Sequence, residues 1–208
     1  MTRIRHRSLL VLIALGCAAA ACQLRRPDVP PVRMIEPQLP EAKDAVDPPA
    51  GLLRIRLLDT QSRAHIGRRL LHQQADGELV EDVVWRWSSA PDRYLESALR
   101  LSASNAGVQL VDAGNAPTIA VTLIAWHIES SEGRRMVGAV EVQFVGGDRS
   151  VQTEVIRGSE PVSAELPGDL AVVSGRLITS LALQSLGHAV RNAKQTTRVG
   201  DNPSSGPA

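Results

Sequence analysis

The chain has 208 residues, 43% of them hydrophobic, which suits one domain with a real core and is short for two. Aromatic residues make up only 2%, so the core is aliphatic and no aromatic platform exists for stacking bases or sugars. With 23 Lys and Arg against 22 Asp and Glu, a formal charge of +1, there is no field to gather phosphate backbones, and no nucleic-acid partner is expected.

Arg3, Arg5 and Arg7 precede an uncharged, mostly apolar run from Ser8 to Ala21 that ends in small residues and Cys22. The run is shorter than the roughly 20 apolar residues that cross a bilayer, so residues 1–21 read as an export signal rather than a permanent span. No later stretch reads as long and apolar enough to cross. Both cysteines, Cys17 and Cys22, lie at the end of this run, which leaves the rest of the chain no thiol nucleophile and no internal disulfide. A Cys directly after small residues resembles the bacterial lipobox, where cleavage before the Cys accompanies its acylation. Cleavage at Cys22 is expected, because cleavage at Cys17 leaves a short apolar region against Arg7 and a free Cys22 in an oxidising compartment. Neither site has a Leu three residues before the Cys, and an ordinary signal with incidental cysteines is the competing reading. Gln23 and Leu24, with no Asp at the second position, resemble lipoproteins sent on to the outer membrane. Loss of residues 1–21 leaves 20 bases against 22 acids, a nearly neutral mature chain.

Seven prolines between Gln23 and Ala50 mark residues 22–50 as a lipid-bearing Cys followed by a tether. Polar, Gly- and Pro-containing residues 194–208 read as a disordered tail, which confines the fold to residues 51–193. Leu53, Ile55 and Leu57 alternate with Arg54 and Arg56 as a half-buried strand. Residues 68–73 and 78–87 read as two strands around the Asp76-Gly77 turn. Pro91 then suits the first turn of a helix whose apolar stripe is Tyr94, Leu95, Ala98, Leu99 and Leu101, with Asn105 and Gly107 as its stop. Val108 to Val111 is a short strand. Thr118 to Glu129 is apolar on both faces and reads as a central strand. Met136 to Phe144 and Ser150 to Arg157 complete an antiparallel meander around Gly146-Gly147-Asp148. The last element is a helix from about Asp169, a candidate N-cap, to Ala193, with Leu170, Val173, Leu177 and Leu181 in one stripe that Leu183, Leu186 and Val190 widen. The fold class expected is α+β, a mixed, largely antiparallel sheet with two main helices packed against it.

Catalytic signals are weak. His65, His72, His127 and His188 lack the spacing of a zinc site, and no Walker A, G-x-S-x-G or G-x-G-x-x-G occurs. His127 reads as an exposed residue at a strand end. Glu141 and Glu154 are placed to face each other across the meander, though such solvent-facing acids usually do no chemistry. No enzyme, cofactor or metal is expected. Trp85 and Trp87, at a spacing of two, share one face of a strand, where they either plug the core or form an exposed contact ridge for a protein partner.

A lipobox, a strand, Trp87-Ser88-Ser89-Ala90-Pro91 opening a helix, Val108-Gln109-Leu110-Val111-Asp112, the Ile119 to Glu129 strand, the meander and a long amphipathic helix together resemble the ABC-type transport auxiliary lipoprotein family, the periplasmic lipoprotein component of Mce-type transport systems. The resemblance covers residues 51–193, and the Trp-x-x-x-Pro helix start is its most specific piece. The family's Tyr-rich strand after the lipid-bearing Cys is replaced here by the Pro-rich tether, and the tyrosines common before the Trp are absent. The resemblance implies a non-enzymatic accessory subunit, lipid-anchored at the outer membrane and facing the periplasm. It would work with an Mce-domain substrate-binding protein, a permease and an ATPase to move lipids or hydrophobic compounds between the membranes. It leaves a homo-oligomer open. An outer-membrane activator of a peptidoglycan synthase and a lipid-binding carrier are the alternatives.

Overall fold

The computed structural model of the chain describes residues 30–41, 51–130, 133–147, 149–163 and 167–200, without the side chains of 167 and 196–200. The elements below all lie in one unit, Val32–Ala208. Eight strands and two helices follow one another as β1 (Arg33–Ile35), β2 (Leu53–Ser62), β3 (Arg69–Gln73), β4 (Leu79–Trp87), α1 (Pro91–Ser102), β5 (Val108–Val111), β6 (Thr118–Glu129), β7 (Arg135–Val145), β8 (Val151–Pro161) and α2 (Pro167–Gly200), with a 3₁₀ turn at Ser104–Ala106. This is the expected α+β architecture with a mixed sheet. β6 is its spine. It pairs parallel to β2 through its first half and to β3 at its end, and antiparallel to β7 along its whole length. Beyond these lie β5, parallel to β2, then β4, antiparallel to β3, and β8, antiparallel to β7.

The two apolar faces of β6 do not become two equal cores. Its register with β7 slips between Leu123 and Ala125, so one extra residue, Ile124, bulges out and the strand changes phase. Ile119, Val121 and Leu123 before the bulge, and Trp126 and Ile128 after it, therefore all point into the same core. A second slip between Leu57 and Thr60 does the same in β2, where Leu58 and Asp59 turn outward and Thr60 is buried.

α1 begins at Pro91 in the first helical position and buries Leu95, Ala98, Leu99 and Ser102. Leu101 is only half-buried. The chain leaves the 3₁₀ turn through Gly107, whose φ of 73° is left-handed. α2 buries Leu170, Val173, Leu177, Leu181 and Leu186 as its pattern requires, whereas Leu183 stays exposed and does not widen the stripe. Gly138 on β7 and Gly158 on β8 are register partners that let the helix lie close to the sheet. A Cβ on Gly138 would come 2.9 Å from Leu181 and 3.1 Å from Trp126, and one on Gly158 would come 2.9 Å from Leu177.

Several boundaries differ from the sequence expectation. Residues 33–40 are not tether: β1 pairs parallel with Trp85–Trp87, Ile35 is 2% exposed, and the Gln38 N–H donates to the Ala171 carbonyl at 2.9 Å. Residues 30–32 and 41 are described but belong to no strand or helix, and the rest of the expected tether, 22–29 and 42–50, lies outside the described residues. α2 continues through the first part of the expected tail, to Gly200, because residues 194–199 contain neither Gly nor Pro to stop it. It starts at Pro167, so Asp169 sits within its first turn. There the Asp169 carboxylate accepts from the Ser163 hydroxyl (2.6 Å) and N–H (2.8 Å), contacts that lower its pKa. Finally, Gly168–Gln195 is long and apolar enough to cross a membrane by length and composition, contrary to the expectation that no later stretch would be; here most of its apolar window is packed inside the fold.

Candidate docking surface around Trp85 and the face behind it

Trp87 takes the core alternative of the two left open by its spacing. It is 0% exposed, and its ring lies 5.7 Å from that of Trp126 at an interplanar angle of 49°. The reason is β1. Its pairing sets Ile35 beside Trp87 and Arg33 beside Trp85, so β4 is not the edge of the sheet and Trp87 lies inward with Ile35 in one core cluster, where an exposed ridge was the other expectation. Trp85 is half-buried against the core edge, with the Arg33 guanidinium 5.4 Å from its ring centroid. An exposed two-Trp ridge is thus ruled out, while Trp85 alone keeps partial access.

Asp82 shapes β4 just before these residues. The pairing of β3 with β4 slips between Arg69 and Leu71, leaving extra β4 residues in a bulge. One Asp82 oxygen accepts the N–H groups of Val84 and Trp85, both at 2.8 Å, and the other lies 2.9 Å from His72 Nε2. Burial raises the Asp82 pKa, but these hydrogen bonds outweigh it and hold the carboxyl below the usual Asp value.

The Trp87 to Pro91 segment is a knot rather than a free loop. The Trp87 N–H donates to the Arg68 carbonyl (2.7 Å) and the Ser88 N–H to the Ile35 carbonyl (2.8 Å). Arg68 donates to the carbonyls of Trp87 and Ser88. Ala90 offers no side-chain cap, so the Tyr94 hydroxyl accepts the Ser89 N–H at 2.7 Å and bonds Ser88 Oγ at 2.5 Å. The Ser88 hydroxyl also lies 3.2 Å from Glu36 on the N-terminal segment.

On the other face of β4, the register sets Met34, Arg86 and Arg69 side by side across β1, β4 and β3. With His65, Arg68, Leu71, Leu79 and Glu81 they line a surface groove of about 590 Å³. Arg69 is ion-paired with Glu81. Arg86 has no hydrogen-bond or ion-pair partner among the described residues, and its Nε is buried without one. The sequence signals for this groove were the Arg68-Arg69 pair and the Arg between two Trp, neither of which singles out a site without the register. Nearby His127 is half-buried rather than exposed; burial lowers its pKa, His65 adds to that, and Glu129 opposes it.

The acidic pair does not form. Glu141 is opposite Val155 and Glu154 opposite Val142, which puts the two side chains on opposite faces of the meander. Glu154 instead meets His188, which is also 2.7 Å from Asn192, and Arg191. Cys17 and Cys22 lie outside the described residues.

No family profile matches this sequence, and no curated protein does. Among solved structures, a Xanthomonas campestris protein of the family DUF330 aligns over 80% of this chain and 99% of its own, with a TM-score of 0.64 at 12% identity. A crystal structure described only as an uncharacterized protein aligns over the same shares with a TM-score of 0.52, again at 12% identity. These two share this fold. A minor lipoprotein from Acinetobacter baumannii aligns over 67% of this chain and 93% of its own at 14% identity, and its TM-score of 0.36 is too low to imply a common topology.

Proposed function

We propose that the chain is a non-enzymatic accessory lipoprotein of an Mce-type ABC transport system, anchored at the outer membrane and facing the periplasm. There it fastens the periplasmic transport assembly that moves lipids or hydrophobic compounds between the two membranes. The observation that carries this reading is the Trp87 to Pro91 segment. The residues on which the family resemblance rests most specifically form one built unit, with Trp87 in the core, Pro91 opening α1, and Arg68, Ile35 and Tyr94 bonded around it. In this reading Cys22 carries the acyl chains, two or three of which anchor stably where one does not. Residues 23–32 remain as the link to the domain, because β1 is already in the sheet. The Mce-domain substrate-binding protein, with its permease and ATPase, is the partner, and half-buried Trp85 with Arg33 is the contact to test first.

The test is affinity capture of the full-length lipoprotein from gently solubilised envelopes, followed by mass spectrometry. Co-recovery of an Mce-domain protein with its permease and ATPase, reduced by Trp85→Ala, is expected. Recovery of a cell-wall synthase, or of lipid without protein, would replace this reading with the peptidoglycan-synthase activator or the lipid carrier.

A further inference from the structure

We propose that the groove behind β4 binds a phosphoryl group through Arg86. The lining holds three arginines, Arg68, Arg69 and Arg86, against one carboxylate, Glu81, an excess of two positive charges before any contribution from His65. The three guanidinium groups are not equivalent. Arg68 is occupied by the carbonyls of Trp87 and Ser88, and Arg69 by Glu81. Arg86 is flanked by Met34 and Arg69 in the sheet register, is only partly exposed, and has no anionic or carbonyl partner among the described residues.

A partly buried cation without a partner is costly, and a planar guanidinium fork matches the oxygens of a phosphate. Arg69 and Glu81 neutralise each other, so the excess positive charge of the groove is carried by Arg86 and Arg68. The groove volume of about 590 Å³ falls inside the ~300–1,000 Å³ range of small-molecule sites, so it accepts more than the phosphate alone. Apart from His65 the rest of the lining is apolar: Leu71 is buried, and Leu79 and Met34 are exposed at the rim. Such a lining accepts either the phosphate of a soluble ester or that of a lipid headgroup whose glycerol and first acyl carbons rest on Met34 and Leu79.

Calorimetric titration of the purified full-length chain with inorganic phosphate, glycerol 3-phosphate and dihexanoyl phosphatidylglycerol tests this, with an uncharged alkyl glucoside as the control. Saturable binding of at least one phosphate compound is expected, weakened about tenfold or more by Arg86→Met and unchanged by Arg157→Met on the exposed part of β8. A preference for phosphatidylglycerol supports the proposal with a lipid as source, and equal or better binding of glycerol 3-phosphate supports it with a soluble ester. Absence of binding at millimolar concentration, binding indifferent to Arg86→Met, or equal binding of the alkyl glucoside overturns it. If circular dichroism shows that Arg86→Met does not fold, Arg86→Lys takes its place: weaker binding supports the proposal and unchanged affinity overturns it.

Discussion

Trp87 contributes volume to the core without using its polar atom, since its indole Nε1 is buried with no hydrogen-bond partner among the described residues. Trp87→Ala should therefore cost about 3–5 kcal/mol from the cavity it leaves. Trp87→Phe retains most of the ring and strips no acceptor of a donor, so denaturant unfolding should find a clearly smaller loss. Equal losses would mean that the indole N–H is engaged after all. Asp82 works by charge. Its carboxyl is held below the usual Asp value, so it stabilises the fold above about pH 3.9 and that contribution fades as pH falls through the lowered folded value. Asp82→Asn should accordingly be less stable than the parent at pH 7 and converge with it in strong acid. A gap that persists in acid would show that shape rather than charge makes Asp82 matter. The core place of Trp87 was one of the two readings its spacing left open, but Asp82 does not announce its part: an Asp inside a strand pattern reads as a solvent-facing charge, and only the bulge shows why it is there.

At the scale of elements, two glycines of α2 should respond with opposite signs. A Cβ on Gly175 would lie 2.0 Å from the Gln38 carbonyl oxygen, so Gly175→Ala must lift residues 36–40 off the helix. We expect a destabilisation of about 1–3 kcal/mol and faster proteolysis around residue 41. At Gly187 the same Cβ would meet only the end of Arg191, at 3.6 Å, so Gly187→Ala should stabilise the helix by about 0.5–1 kcal/mol. Thermal melts of both variants against the parent decide it. Local periodicity was a sound guide to α1, α2, β5, β6 and the meander, because each carries an apolar pattern longer than its ambiguities. It was a poor guide to β1, where three residues among prolines owe their strand to Trp85–Trp87, some fifty positions away. The phase change in β6 was hidden for another reason. With apolar residues at both parities, nothing in the order of residues marks Ile124 as the one that steps out.

For the whole molecule, the anchor proposed at Cys22 is the part most open to direct test. Cys22→Ala should abolish labelling by radioactive palmitate and move the protein out of the membrane fraction, whereas Cys17→Ala should leave both unchanged; the reverse result would transfer the lipid to Cys17. The expected tether was legible as Pro-rich and polar, but composition does not report where a chain stops being a leash and becomes part of the sheet. That distinction governs how the molecule bears force. Tension on the chain ahead of Val32 reaches the fold at Arg33, where it acts on a three-residue parallel strand, the Ser88–Ile35 hydrogen bond and the seat of Gln38 on α2 together. A pull from an anchor at Cys22 would thus be shared between the sheet and the long helix instead of being borne by β1 alone.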